Sequence, residues 1–249
     1  MTLDGVVVVT GGGSGIGRAT ALAASAEGAS IAVLDVHGDH AEETRELVEV
    51  AGGRALAVAV DVADDDAVAH AVARARDLGR ITGVVTAAGI FHGPDLAPAH
   101  EVAIADFRHV LSVNLGGTFS TIKHALPDLV DGGGAIVTIA STAALRGHGF
   151  GAGYTASKGG VDALTRLLAV QYGPHGVRAN CVCPGGVDTP MTGGVFATDD
   201  AVARAKKAIP LGRYADASDI AEVVVFLLGR GARYVTGQTV PVEGGALLT

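Results

Sequence analysis

Short apolar runs recur along the chain at a nearly constant interval, and that interval limits the folds open to it. Runs at residues 6–9, 31–34, 55–60 and 84–88 end near Thr10, Asp35, Asp61 and Ala87, intervals of 25, 26 and 26 residues. Each interval has room for a strand, a helix and two short turns. The runs show little polar alternation, as expected of strands buried on both faces of a sheet. Three further runs, at 136–140, 177–182 and 239–242, bring the expectation to about seven strands. Between them, residues 19–27, 41–50, 67–78 and 161–171 carry apolar side chains at helical spacing. The pattern predicts an α/β chain, a doubly wound parallel sheet with helices on both faces. No composition break divides it, so residues 1–249 are expected to form a single domain.

Charge and hydropathy exclude several classes of partner. Eighteen Lys and Arg against 26 Asp and Glu give a formal charge of −8, the wrong sign for a surface that neutralises phosphate backbones, so no nucleic-acid partner is expected. The chain is 49% hydrophobic, yet no uninterrupted apolar run approaches the roughly 18 residues that span a bilayer, and no membrane partner is expected. The start, Met1-Thr2-Leu3-Asp4 leading into the first apolar run, carries no export signal. Cys181 and Cys183, two apart in an apolar run, would point to one face of a strand with Cα atoms about 6.5–7 Å apart, at the limit for a disulfide. They are expected to be buried free thiols. The histidines lack metal-ligand spacing near them, so no metal is expected. These features fit a cytoplasmic location.

The first run leads into Thr10-Gly11-Gly12-Gly13-Ser14-Gly15-Ile16-Gly17 and then into a helical stretch. A strand before and a helix after are what a dinucleotide-binding glycine loop requires, and they make the domain Rossmann-like. Gly11 suits the tight turn, Gly15 the approach of the backbone to a pyrophosphate, and Gly17 close packing of a helix whose N-terminal amides face the anion. Asp35 ends the second run, 18 residues after Gly17, where a carboxylate accepts hydrogen bonds from an adenosine ribose and repels a 2′-phosphate. Val36 and His37 supply no fixed cation there, so the cofactor is expected to be NAD. Asp61, with Val62 beside it, is placed to meet the adenine. A competing role for Asp61 is membership of the acidic helix start formed with Asp64-Asp65-Asp66.

Tyr154 and Lys158 stand at i and i+4, on one face of a helical stretch. Ser141 follows the fifth run, and Asn114 lies in an earlier helical stretch. With the glycine loop, these residues resemble the short-chain dehydrogenase/reductase family. The resemblance runs through Thr10–Gly17, Asp35, Asp61-Val62, Ala88-Gly89, Asn114, Ser141, Tyr154, Lys158, Arg178, Asn180, Pro184-Gly185, Thr189, Thr236-Gly237-Gln238 and Glu243-Gly244-Gly245. It implies that Tyr154 is the general acid/base, Ser141 the hydrogen-bond partner of the substrate oxygen, and Asn114 the organiser of a water-mediated proton path. Lys158 would hold the nicotinamide ribose and favour the tyrosinate, and Val187 and Thr189 would meet the carboxamide. Ser14 and Ile16 of the loop, Ala88, Gly89, Pro184 and Gly185 would complete the cofactor site. One departure is Thr86-Ala87-Ala88-Gly89, where the family usually has N-N-A-G; the Thr86 hydroxyl is expected to replace a side-chain hydrogen bond.

The activity implied is NAD-dependent interconversion of a small secondary alcohol and a ketone. The alternatives are a 3-oxoacyl reductase acting on an acyl carrier protein thioester, and a non-catalytic NAD-binding sensor. Asp35 and the acidic stretch Pro127-Asp128-Leu129-Val130-Asp131 oppose the first, and the presence of all four catalytic-type residues opposes the second. The substrate pocket is expected from residues 91–94 and 143–150 and from a lid over about 187–210, with Arg146 and His148 as candidates for an anionic group. The family resemblance and an apolar tail, Val240, Val242, Ala246, Leu247 and Leu248, lead to the expectation of a homotetramer.

Overall fold

All five residues of β1 (Val6–Thr10) are buried, because helices cover both faces of the sheet it centres. The computed structural model describes residues 3–91, 93–147, 150–193 and 198–249. After β1 come α1 (Gly15–Ala26), β2 (Ser30–Asp35), α2 (Gly38–Val50), β3 (Ala55–Ala59), α3 (Asp65–Ala75) and β4 (Ile81–Thr86). The chain continues through α4 (Ile104–Leu111), α5 (Gly117–Gly132), β5 (Gly134–Ile139), α6 (Ala152–Tyr172) and β6 (Val177–Pro184). It ends with β7 (Val187–Asp188), α7 (Asp199–Ala208), β8 (Ala215–Asp216), α8 (Ala217–Leu228) and β9 (Thr239–Val242).

Seven strands form one sheet in the order β3-β2-β1-β4-β5-β6-β9, and every pairing in it is parallel. The expected architecture is present, with each of the seven apolar runs on a strand. Alternate residues of the strands enter two separate cores. Val7, Val9, Ile31 and Val33 pack with α1, α2 and α8 on one face, and Val6, Val8, Ala32 and Leu34 pack with α3, α5 and α6 on the other. Each fully buried valine contributes about 1.5–3 kcal/mol, which is why runs without polar alternation are selected for such strands. Cys181 and Cys183 are buried free thiols on β6, as expected.

The order of strand addition reverses between β1 and β4: from β1 the sheet grows through β2 and β3 one way and through β4, β5 and β6 the other. In open α/β sheets this switch point leaves a crevice beyond the carboxyl ends of the strands. The cleft described next lies there.

Candidate active site

A cleft of about 540 Å³ opens at the switch point, lined by Gly11, Ser14, Gly15, Ile16, Gly17, Asp35, Asp61, Val62, Ala88, Gly89 and Thr189 among others. Most of the expected cofactor residues therefore share one surface. Tyr154, Lys158, Pro184, Gly185 and Val187 fall outside this lining. Pro184 and Gly185 are tied to the end of β9, and Val187 is buried and belongs to the core on the α1 face.

The glycine loop fits a pyrophosphate because side chains have been removed where backbone must pass backbone. A Cβ on Gly17 would stand 2.0 Å from the Gly11 carbonyl oxygen, and Gly15 has φ +49°. Without side chains there, the N-terminus of α1 meets the cleft with its amides free to face an anion. The buried Asp35 carboxylate anchors the loop: Oδ2 accepts the Gly13 N–H at 2.9 Å and Oδ1 the His37 N–H at 3.0 Å. Each oxygen retains lone-pair capacity for a hydroxyl of a ribose. Arg18, the first cation after the glycine loop, is drawn to Glu43 at 2.7 Å and to Thr44 at 3.0 Å. Asp61 lines the cleft, and its Oδ1 accepts the Ala63 N–H in the turn before α3. The helix cap itself is Asp64, which accepts from Ala67.

α6 carries Tyr154, Ser157 and Lys158 within its first two turns. Lys158 is buried, its Nζ donating to the Ile139 carbonyl at 2.8 Å and standing 5.7 Å from the centre of the Tyr154 ring. Asn114 lies in a π-helical turn, Ser112–Gly116, between α4 and α5, a local widening that often marks functional positions. Its side chain is fully engaged in joining segments: Oδ1 accepts the Ile90 N–H, and Nδ2 donates to the Ile90 carbonyl and to Ser157 Oγ. A Cβ on Gly89 would sit 3.2 Å from Asn114 Oδ1 and 3.5 Å from Lys158 Nζ. The cleft floor at Gly89 thus touches the catalytic-type residues directly.

Burial controls the titration of this centre. Desolvation pushes the Tyr154 phenol up, with a hydrogen bond to Ser141 pulling it down and Cys183 adding to the rise. Desolvation brings Lys158 from 10.5 to about 8, opposed by Cys181 and Cys183. A lysine charge beside the phenol was expected to lower the tyrosine; in the protein alone the shift is upward, with desolvation as its largest cause. The hydrogen bond with Cys181, together with burial, pushes the Cys183 thiol up.

Three aromatic rings meet over the site. Phe91 lies edge-on to Tyr154 with centroids 5.3 Å apart, Phe150 is 5.7 Å from Tyr154, and Phe91 and Phe150 are 6.2 Å apart. Met191 closes the cleft from the expected lid segment, whose residues 194–197 lie outside the described residues. So does His148; Arg146 donates to the Ala246 carbonyl at the surface.

Two details differ from the expectations. The Thr86 hydroxyl replaces no hydrogen bond: it is buried and has no partner among the described residues. The contact to the following loop comes instead from Thr10, whose Oγ1 accepts the Ala88 N–H at 3.3 Å. The other is Asp95, which no motif marks. Its carboxylate accepts the N–H groups of Gly153 and Tyr154 at 2.7 and 2.8 Å.

The model of a family described as enoyl-(acyl carrier protein) reductase matches residues 11–246. Levodione reductase of Leifsonia aquatica is 39% identical over 252 residues, covering 97% of this chain and 94% of that protein. Cis-4-hydroxycyclohexanecarboxylate dehydrogenase of Sinomonas cyclohexanicum is 39% identical over 242 residues, covering 96% and 95%. Among solved structures, one from Beutenbergia cavernae, provisionally assigned as an NAD(P)-dependent gluconate 5-dehydrogenase and holding NADP at low occupancy, superposes with a TM-score of 0.90. It is 37% identical and covers 98% of this chain and 97% of that one. A doubly wound sheet, a glycine loop at its switch point and a Tyr-x-x-x-Lys helix beside it define a nicotinamide-dependent oxidoreductase. The chain belongs to the short-chain dehydrogenase/reductase family.

Proposed function

We propose that the chain is an NAD-dependent oxidoreductase that interconverts a secondary alcohol and a ketone, with Tyr154 as general acid/base. The observation that carries this reading is the placement of Tyr154 one helical turn from Lys158, whose Nζ stands 5.7 Å from the centre of its ring, beside a cleft lined by the glycine loop and Asp35. Asp35 supports NAD over NADP, since its charge would oppose a 2′-phosphate. The bound nicotinamide would supply the hydride acceptor or donor. In alcohol oxidation Ser141 would hold the substrate oxygen, and Tyr154, as tyrosinate, would take the hydroxyl proton. Lys158 would hold ribose hydroxyls and favour the tyrosinate. The role of Asn114 in this reading is to fix Ile90 and Ser157 around that proton path. Pro184, Gly185, Val187 and Thr189 would complete the wall beside the carboxamide.

The aromatic cluster of Phe91, Phe150 and Tyr154 favours a small ring alcohol, which suits the cyclohexane ring in the name of the Sinomonas relative. A homotetramer is supported by Phe119, Leu167 and Val170, which are 52%, 50% and 78% exposed on α5 and α6; light scattering tests it. The free thiols fit a reducing cytoplasm.

The match to a family described as enoyl-(acyl carrier protein) reductase keeps one rival, reduction of a carrier-protein thioester. The acidic stretch at 127–131 opposes it less than its sequence suggests, because Asp128 is paired with Arg76 at 2.7 Å. A cofactor-reduction screen of cyclic, acyclic and steroid alcohols, run beside a 3-oxoacyl thioester with both reduced cofactors, separates the readings. Turnover of ring alcohols with NAD that is lost in Tyr154→Phe, with NAD affinity retained, is expected. Activity confined to the thioester would favour the rival, and NAD binding without any turnover would favour a sensor.

A further inference from the structure

The helix that carries the catalytic tyrosine cannot cap itself. α6 begins after Gly151, which has no side chain to satisfy the first-turn amides. Helix starts normally recruit Ser, Thr, Asp or Asn for this purpose. Here the cap is Asp95, from a short 3-10 turn, Gly93–Leu96, some 58 residues earlier. It is 1% exposed and accepts the amide of Tyr154 itself as well as that of Gly153. The first turn is kept bare to admit it: a Cβ on Gly151 would fall 2.1 Å from Asp95 Oδ2, and one on Gly153 would fall 3.0 Å from Oδ1.

We propose that Asp95 is a positioning residue for the reaction, holding the backbone of Tyr154 in register with the cofactor floor and setting the field at its phenol. This rests on the reading of Tyr154 as the acid/base. Two ties bracket the segment between the cleft and α6. At one end Asn114 joins Ile90 to Ser157, and at the other Asp95 joins the helix start. Phe91, between them, has its ring against Tyr154. A change at Asp95 therefore moves the acid/base and the substrate wall together, while the glycine loop and Asp35 are held by β1, β2 and α1. Displacements of about 1 Å in such a group reduce turnover by up to about 100-fold.

Asp95 also offsets the positive end of the α6 dipole at the residue that must ionise. The other groups acting on the phenol are Lys158 on the same helix, Cys183 on β6 and the Ser141 hydroxyl. Removal of the Asp95 charge takes a negative charge from beside the Tyr154 backbone and favours the tyrosinate, so the pH midpoint of alcohol oxidation should fall.

The test uses Asp95→Asn, which keeps an acceptor and most of the shape, with Asp95→Ser as a second variant that is shorter but still able to cap. Each is compared with wild type for kcat, NAD affinity by fluorescence titration, thermal stability and the pH profile of oxidation of an alcohol turned over by the wild type. Asp95→Asn is expected to lower kcat by about tenfold and move the midpoint to lower pH by about half a pH unit, with NAD affinity within about twofold. Wild-type kcat and pH profile in both variants would overturn the proposal. So would a loss of activity that tracks thermal stability with the midpoint unmoved, which marks a structural cap only. Failure of the wild type to oxidise any alcohol would instead refute the proposed function.

Discussion

Lys158→Met is expected to make the cofactor-free protein more stable while disabling it. Burial brings the Lys158 ammonium from its ordinary 10.5 to about 8, so the folded chain holds this proton less tightly than the unfolded one. The sign follows directly: below about pH 8 the charged lysine opposes folding in full, and the cost is relieved as pH rises from about 8 towards 10.5. At about 1.4 kcal/mol per pH unit, the fall corresponds to about 3 kcal/mol at neutral pH. Methionine has similar length and no charge, but it leaves the Ile139 carbonyl, which accepts from Lys158 at 2.8 Å, without that donor. An orphaned buried acceptor costs about 1–2 kcal/mol at any pH. The net gain at pH 7 is therefore about 1–2 kcal/mol. The sharper measurement is the difference between the two proteins as a function of pH, because groups common to both cancel. In urea unfolding at fixed protein concentration without cofactor, wild type should gain about 2–3 kcal/mol on Lys158→Met between pH 7 and pH 10. NAD should then stabilise wild type and act much more weakly on the variant. Parallel stability curves across this range would show that Lys158 does not bear a desolvation cost, and the reasoning would fail.

Three further outcomes can be measured separately. NAD should be preferred to NADP by at least about 100-fold in kcat/KM, from a lost ribose hydrogen bond and added repulsion, and Asp35→Ser should reduce the ratio by tenfold or more; comparable efficiency with both cofactors in wild type would contradict it. Thr86→Val replaces a buried hydroxyl that has no partner among the described residues with an isosteric methyl and should raise stability by about 1–2 kcal/mol, seen as a higher Tm, whereas a lower Tm would reveal a partner for the hydroxyl. Phe91→Ala removes a ring in edge contact with Tyr154 and should raise KM for a cyclic alcohol by about tenfold, with a smaller effect on an acyclic one; equal effects on both would deny it a role in ring recognition.

Much of the architecture and most of the site were legible in the amino-acid sequence, because both depend on local signals. Apolar runs such as those starting at Val6 and Ile31 are long enough for a strand and too apolar for a surface. The glycine loop declares itself because a Cβ is intolerable at Gly17, and Tyr154 and Lys158 share a helix face by spacing alone. What the tertiary structure decided are quantities that depend on what surrounds a side chain. Spacing puts Lys158 near Tyr154, but only burial in the folded chain lifts the phenol. The family pattern offers Thr86 as a hydrogen-bonding substitute, but the geometry of β4 leaves its hydroxyl without a partner among the described residues and gives the contact to Thr10. Phe91 and Phe150 lie in separate loops and become one wall only when those loops converge over α6. Asp95 left no sequence signal, since a cap is recognised by its neighbours and this one is supplied from across the fold. Backbone propensity and steric exclusion are written residue by residue; desolvation, convergence and long-range capping exist only after the chain has closed on itself.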